Sequence, residues 1–177
     1  MSLSTTALHG LHEELGGRLV DFAGWELPVQ FAGIIAEHQH TRKSASLFDV
    51  SHMGQVLIYP ESGNLADAAA ALETLIPASV AGLKEGRQRY GLFTDENGGV
   101  LDDLMFANHG DRYFLVVNAA RSDHDLGLLR TLERVTVEHI TDRSLLALQG
   151  PRAEEALAGL IPDAAGLRFM DSRVLDW

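Results

Sequence analysis

The chain has no cysteine. That excludes a disulfide framework, a thiol nucleophile and cysteine metal ligands within its 177 residues. Cationic residues are scarce: 14 Lys and Arg stand against 25 Asp and Glu, a formal net charge of -11. A balance this acidic argues against nucleic acid or an anionic membrane as a general partner. It leaves room for a small anion held by a local basic cluster. No run is long and apolar enough to span a bilayer. The first ten residues lack the basic start and apolar core of a secretory signal, and also the Arg-rich amphipathic pattern of an import peptide. The expected compartment is the cytoplasm. There is no internal repeat, low-complexity tract or flexible linker.

What remains is an ordinary globular composition, 46% hydrophobic and 22% charged, sufficient to bury a core in one domain or two small ones. Thr5 and Thr6 are placed to cap a helix over 7–15 that puts Leu8, Leu11 and Leu15 on one face. Residues 19–22 read as a short strand, 23–28 as a loop with an aromatic anchor at Trp25, and 34–46 as a helix. A strand over 55–59 is followed by an Ala-rich helix over 65–76, capped by Asn64. Strands over 88–94, 100–107 and 113–118, joined by Gly- and Asp-rich turns, predict an antiparallel meander. Ser122 and Asp125 have capping-box-like spacing ahead of a helix to Arg134. A strand over 135–140 completes a β-α-β-β-β-α-β order, an α+β plan close to ferredoxin-like. Residues 145–148 read as a strand, and Gly150-Pro151 as the opening of a helix to about 160. Residues 169–177 read as a strand cut off in mid-course, which predicts a truncated chain.

The most informative run is Gly98-Gly99-Val100-Leu101-Asp102-Asp103-Leu104-Met105-Phe106. Alternation along a strand puts Val100, Asp102, Leu104 and Phe106 on one face, and Leu101, Asp103, Met105 and Ala107 on the other. Each face then carries one carboxylate among apolar neighbours. A buried carboxylate is costly without a partner, a turn role or a chemical task. The plainer alternative is that both acids cap the Gly-Gly turn.

Other constellations are weaker. His38 and His40 diverge by about 200° on a helix, and His9 and His12 have no evident third ligand, so neither pair reads as a metal site. Ser51-His52 are sequence neighbours, a poor nucleophile–base geometry. No phosphate loop is present. Lys84, Arg87 and Arg89 form a small basic cluster beside the acidic strand. Asn118, at a strand end, suits either a ligand or a helix cap, and Met53 and Tyr90 read as core residues.

Five segments in one order resemble the aminomethyltransferase (T-protein) family of the glycine cleavage system. They are Val20-Asp21-Phe22-Ala23-Gly24-Trp25-Glu26-Leu27-Pro28-Val29; Arg42 through Ser46-Leu47-Phe48-Asp49-Val50-Ser51-His52-Met53-Gly54; Gly98 to Leu104; Val116-Val117-Asn118-Ala119-Ala120; and Ala147-Leu148-Gln149-Gly150-Pro151. The resemblance runs from about residue 5 to the end and implies only the N-terminal half of the usual length. It implies antiparallel sheets with packed helices: a discontinuous folate-binding domain from 1–51 and 141–177, and a ferredoxin-like α+β domain over 52–140. By resemblance Asp103 is the catalytic acid, and Met53, Tyr90 and Asn118 join it in lining a tetrahydrofolate site. The implied partner is the lipoylated carrier (H) protein, whose lipoyl arm brings the aminomethyl group. Transfer to tetrahydrofolate gives methylenetetrahydrofolate and ammonia. A carboxylate beside the reacting nitrogens suits that chemistry, because it accepts a proton and stabilises developing positive charge. The same superfamily also offers a non-catalytic folate-binding module and the folate domain of a sarcosine- or dimethylglycine-type oxidase.

Overall fold

A computed structural model describes residues 2–175. The elements are α1 (His9–Glu14), β1 (Arg18–Phe22), β2 (Trp25–Gln30), α2 (Ile34–Lys43), β3 (Ser46–Asp49), β4 (Gly54–Pro60), α3 (Leu65–Glu73), β5 (Arg87–Thr94), β6 (Val100–Asn108), β7 (Tyr113–Val117), α4 (Ser122–Leu129), β8 (Val135–Ile140), β9 (Leu146–Gln149) and α5 (Ala153–Ala158). They form two compact units: 2–52 with Arg143–Gly166, and Met53–Asp142 with 167–175.

The first unit holds two short antiparallel ladders, β1 with β2 and β3 with β9. The segment expected as a loop from residue 23 is instead the turn and second strand of a hairpin. Ala23 and Gly24 both have positive φ, 53° and 83°, as a two-residue turn matching strand twist requires. Asp21 Oδ1 accepts the Gly24 N–H at 3.0 Å and closes that turn. Pro28 does not stop the strand, since a two-stranded ladder leaves each strand an outer edge. The expected threonine cap on α1 is also absent. The helix starts at His9 with no side-chain cap, because Thr6 Oγ1 donates to Asp49 Oδ2 at 2.6 Å instead. Likewise Pro151 does not open α5. It sits in the turn after Gly150, and Arg152 is the N-cap. Gly150 has φ 129°, and a Cβ there would collide with the Ser44 carbonyl oxygen.

The second unit is a five-stranded sheet of order β5-β6-β7-β4-β8, antiparallel at every pairing. This is the α+β plan read from the sequence, with the meander intact and β4 inserted between β7 and β8. Ala68, Ala69 and Leu72 of α3 and Leu126 and Leu129 of α4 join Val56, Ile58, Phe93, Leu104, Phe106, Leu115 and Val117 in one core. A large apolar side chain fully buried in this way stabilises by about 1.5–3 kcal/mol. Asn64 caps α3 as expected, its Oδ1 accepting the Ala66 N–H at 3.2 Å.

Two expectations in this unit are corrected. Ser122 and Asp125 form no capping box: Arg121 is the N-cap, without a side-chain bond, and Asp125 is fully buried. The described end of the chain, 167–175, clusters with this unit rather than with the N-terminal segment, and it is not a strand. Asp171 makes an isolated bridge to Arg87 and an ion pair with its guanidinium. Gln88 N–H donates to the Met170 carbonyl at 3.0 Å, and Ser172 N–H to that of Gly86 at 2.9 Å. These bonds tie the segment to the start of β5. Asp176 and Trp177 of the expected strand lie outside the described residues.

Candidate functional site

The acidic run becomes the first half of β6, just after the turn. Asp95 organises that turn, its Oδ1 accepting the N–H groups of Asn97 and Gly99, both at 2.8 Å. The register shifts after Phe93, so Asp102 lies opposite Phe93, and Asp103 opposite Leu92. Phe93 is fully buried and Leu92 is exposed, so the two acids face opposite environments. Asp102 points with Leu104 and Phe106 toward the helices. Asp103 points with Met105 to the other face and is itself exposed. Neither caps the turn.

Asn118 follows β7 and joins both acids. Its Nδ2 donates to Asp102 Oδ1 at 3.0 Å, to Asp103 Oδ1 at 3.1 Å and to the Asp103 carbonyl at 3.1 Å. Three acceptors around one group fix it as the NH₂ end of the amide. Asn118 therefore bridges the two carboxylates through one amide group. Asp102 Oδ1 also accepts the Asp103 main-chain N–H at 2.9 Å. Asp103 is thus held at its carbonyl, its N–H and one carboxylate oxygen, while its side chain stays on the open face.

Around it that face is largely apolar. Tyr90 lies opposite Met105 in the β5–β6 ladder, one pleat repeat from the Leu92–Asp103 pair. Tyr90 is 63% and Leu92 41% exposed, which leaves a ring and an aliphatic side chain free beside a carboxylate. Val116, opposite Met105 on β7, continues the surface. Met53 immediately precedes Gly54, which pairs with Val117, so Met53 sits at the Asn118 end of the sheet. The structure thus joins Asp103 and Asn118 directly, places Tyr90 on the same face, and sets Met53 at its end. Tyr90 is not the core residue that its type alone predicts.

Asp125 is the residue sequence reasoning missed. It is fully buried, its Oδ1 receives the His124 Nδ1 at 3.0 Å, and its Oδ2 has no hydrogen-bond partner. Asp102 Oδ2 is buried and unpartnered as well. Burial raises the Asp125 carboxyl, His124 opposes the rise and neighbouring Asp102 adds to it; the group is pushed up to about 6. A signal was present in the sequence, since Asp125 and Leu129, four residues apart, share the inward stripe of α4.

The remaining candidates have structural tasks. His9 Nε2 meets Glu26 Oε2 at 2.8 Å, and His12 Nε2 meets Asp49 Oδ2 at 2.9 Å. Ser51 Oγ donates to the Leu145 carbonyl at 3.3 Å and accepts its N–H at 3.0 Å, so it is engaged away from His52. Arg89 Nη1 donates to the Ser79 carbonyl at 3.2 Å, and Arg87 is held by Asp171. Among the described residues, no group of three or more His, Asp and Glu is arranged to hold a metal ion. No helix among them is long and apolar enough to cross a membrane.

Residues 8–177 match the family model described as the GCVT N-terminal domain. The chain is 38% identical to the mitochondrial aminomethyltransferase of Dictyostelium discoideum, over 97% of this chain and 44% of that protein. It is 43% identical to the aminomethyltransferase of Bacillus subtilis, over 89% of this chain and 43% of that one. Its fold is similar to the crystal structure of the glycine cleavage system aminomethyltransferase T from Bartonella henselae. The TM-score is 0.89 at 36% identity, covering 96% of this chain and 47% of the other. The chain spans about half the length of the curated relatives it matches.

Proposed function

The chain belongs to the GCVT N-terminal domain family, and from that membership we propose that it forms the folate-facing half of an aminomethyltransferase of glycine cleavage. The proposed reaction moves an aminomethyl group from the lipoyl arm of a carrier protein to tetrahydrofolate and releases ammonia. The observation that supports it best is Asp103: an exposed carboxylate fixed at three atoms, standing on an apolar surface that carries a free tyrosine ring.

The surface fits a flat heteroaromatic ligand. Tyr90, Leu92, Met105 and Val116 offer aromatic and aliphatic contact, and Asp103 offers a carboxylate to ring N–H groups. Bound tetrahydrofolate supplies the two nitrogens that accept the one-carbon unit. The chain's own part is to hold the ring, to keep Asp103 aimed at the open face, and to take up a proton at its carboxylate as the transfer proceeds. Asn118 keeps that carboxylate from rotating. Met53 closes the Asn118 end of the surface. The carrier protein and the cytoplasm are the partner and compartment that accompany this reading.

Calorimetric titration of the chain with folinic acid, a stable reduced folate, tests the reading. Binding that is weakened by Asp103→Ala supports it. A cooperatively folded chain whose folinic acid binding is indifferent to Asp103 and Tyr90 substitutions removes the site from this face.

A further inference from the structure

Two carboxyl groups lie within hydrogen-bonding reach of each other beneath the site. Asp102 comes from the inward face of β6 and Asp125 from the inward stripe of α4. Each has a buried Oδ2 with no other partner. Their remaining oxygens are spoken for: Asp102 Oδ1 by Asn118 and the Asp103 N–H, and Asp125 Oδ1 by His124. Two ionised carboxylates cannot share such a place, because like charges in a water-poor setting repel and neither oxygen can donate. One proton between the two Oδ2 atoms satisfies both.

We propose that Asp125 carries that proton and donates it in a hydrogen bond to Asp102, making Asp125 a positioning residue for Asp103. The choice of Asp125 as holder follows from the donors. Asp102 Oδ1 already accepts two N–H groups, from Asn118 and Asp103, so Asp102 is the better-furnished acceptor of the pair. Asp125 has the partly exposed His124 alone, its side chain 39% accessible, and is itself fully buried. Asp102 is the charged group that faces Asp125 from β6, and His124 is the one that faces it from its own helix. A continuous hydrogen-bonded line then runs His124, Asp125, Asp102, Asn118, Asp103. Losing the Asp125 proton would put a second negative charge beside Asp102 and loosen the group that anchors Asn118. The inference rests on the proposed function only for what Asp103 does. The acid pair itself stands on the geometry.

The test is a carboxyl carbon NMR titration of the full chain, labelled at aspartate, in the absence of folate. The expected result is one aspartate titrating near pH 6, with the Asp102 and Asp103 signals shifting in the same step. Asp125→Asn should abolish that step yet keep the low-pH positions of Asp102 and Asp103, because an amide N–H replaces the shared proton. Asp125→Ala should displace both signals at every pH. If the alanine variant does not fold, Asp102→Asn gives an independent reading: the Asp125 step should move down from near pH 6, because the neighbouring carboxyl is gone while the burial remains. Titration of every aspartate in the ordinary range, or an elevated step that survives Asp125→Asn, overturns the proposal. Folinic acid binding is measured in parallel. An acid pair without binding leaves this inference standing and sinks the proposed function, and binding without the pair does the reverse.

Discussion

Asn118 grips Asp103 twice, donating at 3.1 Å to its carboxylate and at 3.1 Å to its main-chain carbonyl. With one donor bridging its carboxylate to its own main chain, the Asp103 side chain has little rotamer freedom left, so its carboxylate is aimed before any ligand arrives. That orientation lowers the entropic cost of binding.

Replacing Asn118 by Ala should therefore weaken folinic acid binding by about tenfold, the loss expected when a hydrogen bond to a charged group disappears. Asn118→Asp should be worse at neutral pH and partly recover in acid, because it adds a third carboxylate beside two others. Calorimetry at two pH values distinguishes the variants. Equal affinities across the three proteins would remove Asn118 from the site.

Asp103→Asn should leave folding untouched, since the side chain is exposed and makes no core contact. In a protein extended to the full length of its relatives it should slow aminomethyl transfer by about two orders of magnitude or more, the scale of losing one preorganised electrostatic group. Unfolding curves together with ammonia release from loaded carrier protein check both halves of this statement. An unchanged rate would take Asp103 out of the chemistry.

Asp125 makes stability depend on pH in an unusual direction for an acid. Its folded carboxyl, at about 6, lies above the unfolded value of 3.8. The folded chain thus binds the extra proton in that window, and the contribution is full below the unfolded value and lost as pH rises through the folded one. The loss is on the order of 3 kcal/mol for a fully buried group with this shift. Urea unfolding from pH 4 to pH 7 should show wild type falling relative to Asp125→Asn. Parallel curves would contradict it.

Asp49 works in the opposite sense in the first unit. Burial by itself raises its carboxyl, but hydrogen bonds from Ser51, Thr6 and His12 outweigh that and hold it below the ordinary range. Its contribution is therefore present above the unfolded value and lost as pH falls through the folded one. Asp49→Ala, leaving Thr6 and His12 without their acceptor, should cost about 1–3 kcal/mol at neutral pH. Its cost should shrink in acid, as thermal melts at neutral pH and near pH 3 would show.

Gly150→Ala should destabilise the first unit by more than about 2 kcal/mol. The position has φ 129°, and an added Cβ would meet main-chain oxygens of Ser44 and Thr41, the second at 2.7 Å. Backbone cannot swing aside as a side chain can. A melting temperature within a degree of wild type would show that the loop rearranges freely.

The parts legible in the sequence were those set by local chemistry. The alternation in β6, the Asp95–Gly99 turn and the Asn64 cap each depend on a few adjacent residues, and each folds as its pattern implies. Asp125 was misread because its spacing from Ser122 imitates a capping box, while its true partner lies on a strand twenty-odd residues earlier. Thr6 failed as a cap for a similar reason: Asp49, distant in sequence, competes for its hydroxyl and wins. The 23–28 hairpin was missed because Pro28 is a strand breaker only where a ladder continues on both sides. Asp103 and Asn118 were named through family resemblance. Their contact across the β6–β7 ladder was visible only in three dimensions.

The order of strands has a consequence in time. Of the five strands in the larger sheet β4 is made first, yet its neighbours follow only later, β7 after α3, β5 and β6, and β8 after α4 as well. The β5–β6–β7 hairpins close over short loops, whereas β4 waits on long ones, and long-range closure is the slow step in such topologies. The contact between Asn118 and Asp103 closes over 15 residues within the meander. The seat of Asp125 against Asp102 closes over a longer span and needs α4 as well as the strand. A nascent chain would thus own its outward carboxylate before it owns the buried acid beneath it.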